Sequence, residues 1–189
     1  DGAIVVFTPG TFIATERGQR PVEQLRRGDR VVTRNDGLKR VSWIGRRDIS
    51  YHDLNAADKL RPVLVKRGAL GQGRPERDML ISPQHRLHVR GQSGLLSAFE
   101  MIDHSRIVPA PALGVSYLHV LLNAQEVILC NGAWAECFHP DDAAQVCDPT
   151  TDLQRQEILA LFPEIATMGA AKRVTPARQV KNERSRFDT

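Results

Sequence analysis

Short apolar runs, each cut off by turn residues, set the rhythm of this chain. Ile4-Val5-Val6-Phe7 is apolar and breaks at Thr8-Pro9-Gly10, and residues 11–15 are β-prone up to Glu16-Arg17-Gly18. Residues 22–25 predict one helical turn, stopped by Gly28. Residues 30–34 predict a strand and 41–44 its return. Asn35-Asp36-Gly37 between them is a hairpin turn, because glycine accepts positive φ. The stretch 48–60 is polar and predicts an irregular or helical insert. Strands are predicted at 62–66, 78–81 and 85–89, the last two flanking Ser82-Pro83-Gln84. Residues 115–122 and 126–130 predict another pair, followed by an Asn131-Gly132 turn and a strand at 133–136. One helix is predicted with a clear start: Thr151-x-x-Gln154 matches a capping box, and Leu153, Ile158, Leu159, Leu161 and Phe162 give an apolar face up to Pro163. The pattern is an all-β body with a C-terminal helical appendage.

Composition agrees with one domain. The chain has 189 residues, 41% hydrophobic and 25% charged, and its 14 glycines and 11 prolines suit short strands and turns. No apolar run is long enough for a membrane-spanning helix, and no signal-peptide pattern opens the chain. The net charge of +4 comes partly from a basic tail, residues 166–189, expected to be poorly ordered. Elsewhere the charges alternate in sign and aromatics are only 5%, so nucleic-acid binding is a weak alternative. Glycines in 68–75 lack the lysine and hydroxyl of a phosphate-binding loop. Cys130, Cys137 and Cys147 make no disulfide framework, and their spacing with His139 gives little support to a zinc site. No metal or organic cofactor is expected.

Phe7-Thr8-Pro9-Gly10-Thr11, followed by Gly18 to Val31 (GQRPVEQLRRGDRV), resembles the opening of a Hint domain. That is the self-processing module of hedgehog C-terminal regions, inteins and bacterial intein-like proteins. The resemblance continues in RPVLV (61–65), GALG (68–71), PERDMLISPQHR (75–86), VSYLH (115–119), NGAWAE (131–136) and EILALFPE (157–164). It covers about residues 6–165, leaving 1–5 as an upstream segment, and is most similar to a bacterial subgroup appended to large secreted proteins.

The resemblance implies a horseshoe-shaped all-β fold with pseudo-two-fold symmetry. It also implies a first residue, normally Cys, that attacks the preceding carbonyl and converts the peptide into a thioester. The substrate would be the chain's own upstream polypeptide, with water or an external thiol as acyl acceptor, in a monomer. A Thr/Ser-x-x-His motif assists, here Ser82-Pro83-Gln84-His85. An amide nitrogen leaves poorly, so His85 would protonate it as the bond breaks, while Ser82 holds the amide in line. A Ser-His-acid hydrolase fits less well, because Ser82 precedes Pro83 and lacks the G-x-S-x-G elbow.

Two positions depart from the family pattern. Val6 stands at the nucleophile position and carries no heteroatom, so self-cleavage at Val5–Val6 is not expected of the chain as written. Thr8 and Thr11 lie close but would need a different geometry. Gln125 stands where related domains commonly have His, and an amide exchanges no proton near neutral pH. His119, on the preceding strand, remains as a candidate for the same cleft or as a core histidine. Splicing in its usual form is excluded, since Glu136-Cys137 replaces the terminal His-Asn and the chain continues past it. A trapped precursor and a naturally degenerate domain both explain Val6. A non-catalytic interaction module on the same fold is the alternative function.

Overall fold

The computed structural model describes residues 7–124 and 126–137. Among them are short strands, two 3-10 turns and one short α-helix. Val6, Gln125, the predicted helix from 151 and the basic tail lie outside the described residues.

Turn chemistry produces the first hairpins. Gly18, at φ +96°, lets β1 (Phe12–Thr15) fold back onto β2 (Gly18–Pro21), with Thr15 opposite Gly18. The predicted helical turn is a 3-10 turn over Val22–Gln24, whose buried Val22 anchors it to the core. β3 (Arg30–Val32) turns through Asn35-Asp36-Gly37 into β4 (Leu38–Arg40), and the Thr33 hydroxyl donates to the Gly37 carbonyl at 2.7 Å. The return strand therefore comes earlier than the expected 41–44. Trp43 instead starts β5 (Trp43–Ser50), which runs through much of the supposed insert. The helical part of that insert is α1 (Tyr51–Ala56), where the Ser50 hydroxyl caps the Asp53 N–H at 3.2 Å. A second 3-10 turn, Asp58–Leu60, follows.

β6 (Val63–Val65), β7 (Met79–Ile81) and β8 (Arg86–His88) occupy predicted positions. β9 (Leu95–Ser97) and β10 (Ile107–Pro109) were not legible, being three-residue edge strands without an alternating pattern. β11 (Gly114–Leu121), β12 (Glu126–Cys130) and β13 (Ala133–Cys137) complete the body. The expectation that β11 and β12 pair is corrected. β11 pairs with β5 over eight residues, from Gly114 with Ser50 to Leu121 with Trp43, whereas β12 pairs with β13 and β1.

The largest sheet runs β4-β3-β1-β12-β13-β8-β9, with β2 attached to β1; β10-β6-β7 and β11-β5 are smaller units. Phe7 joins the two smaller units by bridging Ile81 and Leu118. Inward side chains of all three, including Ile13, Val31, Val65, Ile81, Leu87, Leu118 and Ile128, form one apolar core. Each such side chain contributes ~1.5–3 kcal/mol on burial. The fold is all-β, as expected. Among the described residues, no helix is long and apolar enough to cross a membrane.

Candidate functional site

Ser82 and His85 close one tight turn between β7 and β8. Ser82 leaves β7 just after Ile81, Pro83 fixes the corner, and the His85 N–H donates to the Ser82 carbonyl at 3.1 Å. The Phe99 and Ala98 N–H groups brace the turn from outside, donating to the Pro83 and His85 carbonyls at 2.7 and 2.9 Å. Both side chains are buried, Ser82 1% exposed and His85 fully enclosed.

His85 is oriented from two sides. Its Nε2 lies 3.0 Å from the Glu136 carbonyl oxygen on β13. A carbonyl only accepts, so Nε2 carries the proton. The Phe7 ring meets the imidazole edge to face, with centroids 4.6 Å apart and planes at 68°. Phe7 is itself held by paired backbone bonds with Leu118, 2.9 Å from its N–H and 2.8 Å to its carbonyl. Phe7, the second residue past the expected junction, is thus clamped between β7 and β11, against His85.

His119 sits on β11 opposite Gly45, and it is buried. Its ring contact is with Trp43, at 6.4 Å and 56°. Because side chains alternate along a strand, His119 points away from the side on which Leu118 lies. The structure brings Ser82, His85 and Phe7 together, and it places His119 against Trp43. Thr8 donates its hydroxyl to the Leu80 carbonyl at 2.6 Å, which occupies it structurally. Val6 and Gln125 lie outside the described residues.

The charged residues behind His85 were not singled out from the sequence. Arg86 grips Glu136 with two parallel bonds, Nε to Oε2 at 2.7 Å and Nη2 to Oε1 at 2.5 Å. Glu136 is fully buried, while the Arg86 side chain is 37% exposed. Leu87 pairs with Ala135 across β8 and β13, so their charged neighbours lie side by side at the strand junction. That register is the signal that would have found the pair. Nearby, the Ser97 N–H and hydroxyl both donate to Glu100 at 2.8 Å, holding its carboxyl below the usual range, with a smaller contribution from the Arg86 charge.

The cysteines are core residues. Burial pushes the Cys130 thiol up to about 12, and it raises Cys137 further, helped by the Glu136 and Glu126 charges. The Cys137 thiol donates to the Val120 carbonyl at 2.8 Å. His139 and Cys147 lie outside the described residues. Among the described residues, no three His, Cys, Asp or Glu side chains gather as a metal site.

A sequence profile described as Hint domain matches residues 5–142. No curated protein matches the chain. Among solved structures, a bacterial intein-like domain from Clostridium thermocellum is similar at a TM-score of 0.50 and 14% identity, covering 70% of this chain and 98% of that one. A DnaB intein from Synechocystis sp. PCC 6803 is similar at a TM-score of 0.48 and 9% identity, covering 71% of this chain and 99% of that one. At these identities the likeness is one of fold.

Proposed function

This chain belongs to the Hint domain family, and from that premise we propose that it is an autoprocessing-type domain whose junction is the Val5–Val6 peptide and whose nucleophile is missing. A Hint fold in general is that of an autoprocessing-type domain. The observation that carries the reading is the seat of Phe7. Phe7, one residue past Val6, packs 4.6 Å from the His85 ring, on an imidazole whose Nε2 is already committed to Glu136. On this reading His85 is the group that protonates the junction nitrogen.

Valine at position 6 offers no atom to attack the preceding carbonyl, so the chain keeps its upstream segment. A thiol introduced there would attack the carbonyl carbon of Val5. As the C–N bond breaks, the nitrogen keeps the bonding pair and takes a proton from doubly protonated His85. The thiol proton returns to the imidazole, and the product is a thioester. Water or an external thiol then accepts the acyl group and releases residues 1–5. The substrate is the chain's own upstream polypeptide, so a monomer suffices.

The test is a Val6→Cys chain incubated with thiol and followed by intact mass. We expect loss of residues 1–5, suppression when His85→Ala is added, and constant mass for the chain as it stands. A Val6→Cys protein that stays intact for days, with unchanged circular dichroism, would overturn the reading in favour of a non-catalytic module.

A further inference from the structure

On another face, the Gly-rich loop, the end of β8 and the β12–β13 turn enclose a cavity of about 440 Å³. Arg34, Arg74, Arg90 and His88 line it, and the Glu76 carboxylate comes up against the lining residue Gly132. Arg74 is neutralised by an ion pair with Glu76. Neither the Arg34 nor the Arg90 guanidinium has an ion pair or hydrogen bond among the described residues. Both side chains are exposed, so water screens their mutual repulsion and both remain open to an anion.

Two further observations fall on the same cavity. His88 Nδ1 is buried without a hydrogen-bond partner, which in a folded protein calls for an explanation. Gln72 holds φ at +52°, a left-handed conformation uncommon for a residue with a side chain. Gly71, whose added Cβ would lie 2.9 Å from that of Arg90, lets the loop close onto the β8 end. Trp134 on β13 supplies an aromatic wall.

We infer that this cavity binds a small phosphate monoester. The two uncompensated guanidinium groups match a head carrying about −1.5 to −2 charges near neutral pH, and Arg favours such oxygens because its fork bonds two at once. A volume of about 440 Å³ exceeds what a bare phosphate fills and falls among small-ligand sites. Trp134 therefore faces an organic body rather than bulk water. A single concave site with two free cations neutralises one ester; a nucleic-acid strand would need a line of them.

The probe is phenyl phosphate, titrated into the full chain as it stands and read by Trp fluorescence and calorimetry, with inorganic phosphate, phenylacetate and a random DNA duplex in parallel. We expect one site per chain, with phenyl phosphate at least tenfold tighter than inorganic phosphate or phenylacetate. The double substitution Arg34→Ala, Arg90→Ala should weaken it at least tenfold and leave the melting temperature unchanged, because neither guanidinium bonds to the fold. Phenyl phosphate binding no tighter than inorganic phosphate, equal binding by the double variant, or preferential binding of the duplex would each overturn the assignment. None of these outcomes depends on self-cleavage.

Discussion

Removing Arg86 should destabilise this domain far more than neutralising Glu136, though the two residues form one ion pair. In Arg86→Met the arginine stem is replaced by a chain of similar shape, but the fully buried Glu136 carboxylate loses the two bonds that Arg86 supplies. Removing one partner of a buried pair costs about 3–5 kcal/mol, because the remaining charge is stranded. Arg86 is 37% exposed, so water reaches the vacated space and the lower end, about 3 kcal/mol, applies. In Glu136→Gln the amide oxygen still accepts one bond, and the arginine can turn its charge to solvent. That change costs about 1 kcal/mol, the worth of a hydrogen bond.

Urea denaturation of both variants at neutral pH, with unchanged slopes, measures the difference. Equal losses, or a larger loss in Glu136→Gln, would refute the reasoning, since either would mean that the carboxylate is not the stranded group. A double-mutant cycle with Glu136→Gln in the Arg86→Met background sharpens it: the second change should recover part of the loss.

Acid stability carries a separate mark. Asp103 accepts the N–H groups of Ser105, Arg106 and Ile107 at 2.8–2.9 Å, and the bonds from Ile107, Ser105 and Arg106 pull its carboxyl down to about 2. A depressed folded value means the contribution is present above the ordinary carboxylate value of 3.8 and is lost as pH falls through about 2. Melting temperatures of the native chain should fall across that window more steeply than those of Asp103→Asn, and parallel curves would count against the three-bond arrangement. Cys130 and Cys137, buried with raised thiol values, should resist alkylation in the folded chain and react only with unfolding, as peptide mapping would show. Labelling of either at the native rate of an exposed thiol would contradict their burial.

What the sequence disclosed was local. Hairpins closed by Asn35-Asp36-Gly37 and Asn131-Gly132 stand where they were expected, because left-handed backbone at Gly37 (φ +65°) and at Asn131 and Gly132 (φ +46° and +73°) is written in residue type. The turn that joins Ser82 to His85 was equally legible, three residues being its whole span. Pairings between distant segments were not. β5 and β11 meet across some seventy residues, and nothing in either run names the other. The Arg86–Glu136 pair follows only once β8 lies beside β13. Phe7 read as one more apolar residue until its two bridges placed it on His85.

That placement bears on what the fold itself asks of His85. His85 is part of the core: it ties the β7–β8 turn to β13, packs under Phe7 and is fully buried. Replacing it leaves a cavity and removes the bond to the Glu136 carbonyl, each costing on the order of 1 kcal/mol or more. Ser82 closes the same turn. Selection for folding alone is therefore enough to hold His85 in position. A Val6→Cys chain thus tests a histidine that folding already holds in place, rather than rebuilding it.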